Sequence, residues 1–557
     1  MFTLYAAVCP RPSRTGPSGS GKTTLLDMLA NKKTLPHRGE VFLNGRPRDR
    51  LFSRVTTYVP QQDIIPPFWT VAEAIEFHHR LRFEGDLSPE ARIEHIEKIL
   101  SSLGLSCVKN SRIGGEQVRG ISGGQRRRVS LAKGLAAGSQ IVFADEPTSG
   151  LSATDADLCV RVMAATSRRQ GITFVIVIHQ PRIEVTKMFD ELLLLTSQPG
   201  RVVYNGTFCK VAGYFAEAGF KPPMFSNPAD HYLDVITPEV RWSKADYFAD
   251  RYLELQKGDV DKAVEVMIAQ GGATSLEMLN EICKKRGVSK MTDSRFSVSF
   301  GTQLRTLLGR RMTLMIRDQN QLQTRLAVSL LQGLVIGIAY WDVGSKLPAQ
   351  QVPFLFMLLQ MGSLSNMATM PEIISHRLVF KYETSDGLYL SAASVLVDTL
   401  VNTILTLGGN FITIIVMYSL SGLPWEHLWL VYFWSLLCLM AVTNFFKIIA
   451  AVAPSSSHSL LVAMPGLMLF TLFNNFFVNK STVPAFMEWA LYVSPMAWTI
   501  EQIITGMYGK DATLVTLYGY DDSDEQTARA FTALIVESIL FQLIAMVCLK
   551  VFNNIER

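Results

Sequence analysis

Gly16-Pro17-Ser18-Gly19-Ser20-Gly21-Lys22-Thr23 has the composition and spacing of a phosphate cradle. Glycines let successive backbone N–H groups converge on phosphate oxygens at the start of a helix. The Lys22 ammonium would neutralise β- and γ-phosphate charge, and the Thr23 hydroxyl would ligate Mg2+. Further along, an apolar run from Ile141 ends in the paired carboxylates Asp145 and Glu146. Asp145 would hold Mg2+ through water, and Glu146 would polarise an attacking water as general base. A chance glycine-rich turn or a solvated acidic turn accounts for either motif alone. The two in this order point to hydrolysis of a nucleotide phosphate. Ile121-Ser122-Gly123-Gly124-Gln125 and Val177-Ile178-His179-Gln180 are further segments of the same kind.

The elements that must position these groups are legible as a pattern. Val55–Pro60, Ile141–Ala144 and Thr173–Ile178 are largely apolar runs that look like strands buried in a parallel sheet. Amphipathic stretches such as Thr24–Ala30 and Ala91–Leu103 fit between them as helices. The alternation predicts an α/β domain with a parallel sheet over residues 1–235. Residues 236–298 are polar and charged, and read as a linker with helical stretches such as Tyr247–Leu255. Ser299–Arg317 has the pattern of a basic amphipathic helix at a membrane surface, carrying Arg305, Arg310, Arg311 and Arg317.

The chain has 557 residues, of which 48% are hydrophobic, and a mean hydropathy of +0.20. The apolar excess is concentrated near the C-terminus. Leu326–Trp341, Val352–Met370, Ser394–Leu420, Leu428–Phe446, Leu460–Val478 and Phe531–Val551 read as six spans, most near the length of about 20 residues a bilayer requires. With the nucleotide-handling domain in the cytosol, Arg325, Arg377, Lys381, Lys447 and Lys550 fall on the inside, in agreement with the positive-inside rule. Residues 299–557 are thus predicted to be an integral, multi-pass membrane domain. The net charge is +5 and no basic stripe with interleaved aromatics occurs, which argues against a nucleic-acid partner. The seven cysteines form no CxxC pair, as suits a reducing compartment.

On these motifs the sequence resembles an ABC transporter ATPase. In that family Ser122-Gly123-Gly124-Gln125 is the signature segment that closes over a nucleotide held by a second ATPase domain. The resemblance implies ATP and Mg2+ as cofactors, held by Gly16, Ser18, Gly19, Gly21, Lys22, Thr23, Thr24 and Asp145. It makes Gln61 the residue that senses Mg2+ and faces the membrane domain, with Thr23 and Asp145 as the other metal contacts. Glu146 and His179, the switch histidine, join Gln61 as catalytic residues. The order of domains, with the runs HQPR, NPADHYLDVI, RLVFKYE and YVSPMAW, is similar to the G subfamily of half-transporters. The fold implied is an α/β P-loop ATPase with a helical subdomain, followed by an all-α six-span membrane domain. A half-transporter requires a second half, as homodimer or heterodimer, and the family exports lipids, sterols or hydrophobic small molecules. Substrate would meet Met361 and Leu364 on the second span and Phe470, Phe473, Asn474 and Phe477 on the fifth, with the three rings on one helix face. The alternative is a degenerate partner subunit with a weak ATP site. Ser152 stands where the family has Asp. The family also places an apolar strand directly before the P-loop, where this chain has Arg11-Pro12-Ser13-Arg14-Thr15, so a truncated N-terminus is expected.

Overall fold

Short apolar runs alternating with amphipathic helices build the sheet that carries the nucleotide motifs. The computed structural model describes residues 4–7, 21–32, 39–83, 88–115, 118–178, 183–186, 188–196, 200–223, 228–237, 244–286, 294–478, 483–509 and 518–552. The chain divides into two units, Met1–Thr306 with Tyr382–Leu390, and Leu307–Lys381 with Ser391–Arg557.

In the first unit the strands are β1 (Leu4–Ala7), the small hairpin β2 (Phe42–Leu43) and β3 (Arg46–Pro47), then β4 (Thr56–Val59), β5 (Ile141–Asp145), β6 (Thr173–Val177), β7 (Glu191–Leu195) and β8 (Val202–Thr207). The main sheet has the order β4-β5-β6-β1-β7-β8. All its pairings are parallel except β7 with β8. Leu4–Ala7 pairs in parallel with β6 on one side and β7 on the other.

The helices of this unit include α1 (Lys22–Leu29), α2 (Val71–Phe83), α3 (Pro89–Ser102), α4 (Gly123–Ala136), α5 (Ala153–Gln170) and α6 (Ser275–Arg286). α3 starts from Ser88, whose side chain accepts from the Ala91 N–H, with Pro89 in the first turn where its missing donor costs nothing. The polar region taken for a linker is folded. Met278, Leu279, Ile282 and Cys283 of α6 form a core with Leu51, Val55 and Phe83. Their spacing marks one helical face, hidden in the sequence by the charged residues between them.

Residues 382–390 also belong to this unit. Tyr382 stacks on Tyr58 at 6.0 Å. Lys32 Nζ donates to Ser385 Oγ at 3.0 Å and pairs with the Asp386 carboxylate. Arg82 donates to the carbonyls of Ser53 (3.0 Å) and Asp386 (2.7 Å). Burial, and secondarily Arg54, lower the Arg82 guanidinium to about 10, while Asp386 opposes the shift.

The second unit is helical. α7 (Phe300–Arg317) leads into α8 (Gln319–Ala339), α9 (Pro348–Met367), α10 (Met370–Ser385), α11 (Ser391–Ser421), α12 (Leu428–Val452), α13 (Ser456–Leu472), α14 (Pro495–Tyr508) and α15 (Asp524–Val551). Among the described residues, Gln319–Ala339, Ser391–Ser421, Trp425–Val452 and Asp524–Val551 are long and apolar enough to cross a membrane. The expected second and fifth spans form helices but fall short of that measure. α9 carries Gln350, Gln351, Gln360, Ser363, Ser365 and Asn366 along its length. α13 stops after 17 residues, short of a straight crossing. α12 is buried along most of its length and packs against α9, α11, α14 and α15.

A charge cluster ties the membrane-surface helix to this bundle. Glu372 of α10 accepts from Arg325 at 2.7 Å and Gln321 at 2.6 Å, and pairs with Arg311. Arg311 also lies 3.4 Å from Asp398 of the third expected span. Burial alone would raise the Glu372 pKa, but Arg311 and Arg325 outweigh it and hold the carboxyl below its ordinary value. Breaking such a pair strands the remaining charges. Glu372→Gln is expected to cost about 3–5 kcal/mol, read as a lower unfolding midpoint of the purified protein. A depressed carboxylate pKa stabilises above its unfolded value of about 4.3 and ceases to do so as pH falls through the folded value. The gap between wild type and variant should therefore shrink on acidification.

Candidate nucleotide site

Gly21 takes a left-handed conformation (φ +75°) immediately before α1, which a side chain would resist. Lys22 and Thr23 then open the helix, Lys22 buried and Thr24 half-buried. Thr23 Oγ1 donates to Asp145 Oδ1 at 3.0 Å. Asp145 closes β5 opposite Val177 of β6. Glu146 leaves the strand at φ +45° with its N–H donating to the Val177 carbonyl at 2.9 Å. Its side chain accepts from Gln61 Nε2 at 2.8 Å. Hydroxyl, two carboxylates and amide are thereby gathered from separate segments. Gly16, Ser18, Gly19 and His179 lie outside the described residues.

The signature segment is a reciprocal cap on α4. The Gln125 N–H donates to Ser122 Oγ at 3.2 Å, and the Ser122 N–H donates to Gln125 Oε1 at 3.0 Å. Such a box satisfies two of the helix's orphan donors and sets the exposed Ser122 and Gly123 at its tip. Gly124 is required by packing, since a Cβ there would lie 2.7 Å from Asp155 Cγ. Asp155 is in turn held by Ser152. Ser152 Oγ donates to Asp155 Oδ2 at 2.7 Å and accepts from the Asp155 N–H at 3.2 Å. Ser152 is thus the N-cap of α5, a role suited to its hydroxyl.

Arg127 is the functional residue that sequence reasoning missed. Its guanidinium is buried and donates to the carbonyls of Pro60 (2.5 Å), Asp145 (2.9 Å), Glu146 (2.9 Å) and Pro147 (3.1 Å), and to Asp63 Oδ1 at 3.1 Å. Ser130 donates to the same Asp63 oxygen at 2.7 Å. One planar fork therefore ties the signature helix to the segment after Gln61 and to the backbone of both carboxylates. Its only sequence signal is its place on the buried face of α4. Behind it, burial pushes the Cys159 thiol up to about 11, so it stays protonated and inert.

Thr23 and Asp145 are fit for Mg2+, which takes hard oxygen ligands and keeps several waters: the hydroxyl and the carboxylate stand together at 3.0 Å, one able to reach the ion directly and the other through water. Gln61 spends its amide nitrogen on Glu146, which leaves its oxygen as the end available to a cation.

The expected substrate residues are dispersed. Met361 and Leu364 are half-buried. Phe470 lies on α13 with its ring 5.0 Å from Phe445. The helix ends at Leu472, so Phe470, Phe473 and Phe477 do not share a helical face. Asn474 is fully buried, and its Oδ1 accepts the N–H groups of Phe476 (2.9 Å) and Phe477 (3.0 Å). This amide turns the chain, and α13 cannot continue past it. Phe477 is exposed and meets Phe356 at 5.0 Å.

A family model described as "ABC transporter" matches residues 14–149. Two described as "ABC-2 type transporter" match residues 302–508 and 179–256. The chain is 30% identical over 565 residues to ABC transporter G family member 22 of Dictyostelium discoideum, covering 97% of this chain and 89% of that protein. It is 29% identical over 500 residues to the broad substrate specificity ATP-binding cassette transporter of Mus musculus, covering 86% and 75%. Against ABC transporter G family member 34 of Arabidopsis thaliana the identity is 28% over 535 residues, and the chain spans 35% of that relative's length. Arg127→Lys retains charge but lacks the planar fork. It is expected to lower ATP turnover at least tenfold through misplacement of Glu146, measured by phosphate release from the purified protein.

Proposed function

Because the chain belongs to the ABC transporter G family, we propose that it is one half of a dimeric exporter that moves lipids, sterols or other hydrophobic small molecules. The observation that carries this reading is the pairing of Thr23 with Asp145 and of Gln61 with Glu146, across 122 and 85 residues of sequence. In this reading the P-loop, with Lys22 and Thr24, holds the ATP phosphates. Mg2+ on Thr23 and Asp145 supplies charge neutralisation at the phosphates. Glu146 takes a proton from the attacking water, Gln61 orients Glu146, and His179 contacts the γ-phosphate.

The exposed Ser122 and Gly123 present backbone donors outward. Lys22 and Ser122 of one chain cannot serve the same nucleotide, so a second half-transporter completes each site. The ATPase unit lies in the cytosol and the helical unit spans the membrane. The name of the mouse relative records broad substrate specificity for that protein, which suits a cavity with few polar demands. Ser152 in place of the family's Asp favours a second reading, a partner subunit with a weak site of its own.

The test is ATP hydrolysis by the full chain in lipid nanodiscs, against Glu146→Gln. Loss of a general base is expected to reduce turnover by about 10²–10⁴-fold. A wild type that hydrolyses no ATP alone but does so with a second half-transporter would support the partner reading. Equal turnover by wild type and variant would refute Glu146 as the base.

A further inference from the structure

The membrane unit contains a mostly apolar cleft, with a few buried polar side chains, that none of these roles uses. It has a volume of about 110 Å³ and lies among α8, α9 and α11, with Leu439 of α12 at its floor. Thr324, Val328 and Ala368 at its rim are exposed, whereas Gly362, Asn366, Thr406, Asn410 and Thr413 are buried. The rim adjoins the outer face of α8, where Leu331, Val335 and Ile338 are exposed at helical spacing, the pattern of a lipid-facing stripe.

The hydroxyl hydrogens of Thr406, Thr413 and Ser365 at the cleft are already committed. Thr406 Oγ1 donates to Asn366 Oδ1 at 3.4 Å, Thr413 Oγ1 to the carbonyls of Ser329 (3.2 Å) and Gly409 (3.1 Å), and Ser365 Oγ to Gln332 Oε1. Asn410 Nδ2 donates to Ser435 Oγ at 3.2 Å. Asn366 Nδ2, on a side chain more than nine-tenths buried, has no acceptor among the described residues. A buried amide donor of this kind demands a partner. Gly362 keeps the space open, since a Cβ there would come within 3.1 Å of Leu439.

The missing partner is an uncharged oxygen that accepts from Asn366 and offers its own hydrogen to the lone pairs around it. Arg325, the one charged residue of the lining, is committed to Glu372, so an anionic headgroup finds no free cation. Arg325 lies about 9 Å along α8 from the end that joins α7. We propose that this cleft binds the hydroxyl end of an uncharged membrane lipid alcohol, held by Asn366. It is distinct from the aromatic residues around α13 and independent of whether the chain exports its ligand.

The test uses the full chain in nanodiscs without nucleotide. A photoactivatable sterol with a free hydroxyl, its O-methyl ether and a photoactivatable linear 1-alkanol are crosslinked, and the labelled peptides are mapped. Labelling of α8, α9 or α11 by an alcohol, displaced by the unlabelled alcohol and weakened about fivefold for the ether by loss of one hydrogen bond, supports the site. Labelling by the sterol alone assigns a rigid alcohol; labelling by both assigns the hydroxyl whatever its tail. Asn366→Leu should weaken labelling similarly, and Thr406→Val, which keeps the side-chain shape but strands Asn366 Oδ1, should weaken it when both proteins are labelled well below the variant's own unfolding midpoint. No displaceable label in these helices would mean that the cleft holds water only, and equal labelling by the ether would mean that the hydroxyl is not read; either result would overturn the proposal.

Discussion

The buried Arg127 guanidinium is the contact on which the nucleotide site depends. A glutamate cannot act on water unless its backbone is held, and Glu146 leaves β5 in a left-handed conformation that non-glycine residues avoid. Arg127 offsets that cost by donating to the carbonyls of Asp145, Glu146 and Pro147. Its contacts with Pro60 and Asp63 bring the segment bearing Gln61 into the same frame. The charge is met by the Asp63 carboxylate and by several carbonyl dipoles that share the work of solvating it.

The chemistry was largely readable along the chain because each motif is local. A P-loop, a strand ending in Asp145-Glu146 and a capped helix at Ser122 each specify themselves within a few residues. Arg127 was not readable, since its acceptors come from 18 to 67 residues away and only the folded sheet brings them together. The helix Ser275–Arg286 was hidden for a related reason. Its apolar face is a minority of its residues and acquires meaning only against Leu51 and Phe83.

The membrane unit was legible as a class and less so in detail. Hydropathy found the strongly apolar helices, and it located the helical segments around α9 and α13. It could not show that α13 ends at Leu472, because the stop is made by the Asn474 amide capturing backbone N–H groups beyond it. Aromatic spacing was extrapolated through a turn, and the shared face disappeared with the helix. The polar residues of α9 weaken its apolar signal for an intelligible reason. Several of them, including Ser365, Asn366 and Gln360, bond to neighbouring helices where lipid offers no alternative partner.

Residues 382–390 are encoded among the membrane helices yet complete the ATPase unit. A ribosome delivers them only after Leu307–Lys381, so the nascent ATPase emerges with one of its pieces still untranslated. Until then Arg82, buried beside Arg54, lacks the Asp386 anion that favours its charge. The contacts that Tyr382, Ser385 and Asp386 make with Tyr58, Lys32 and Arg82 are therefore among the last of this unit that the growing chain can form.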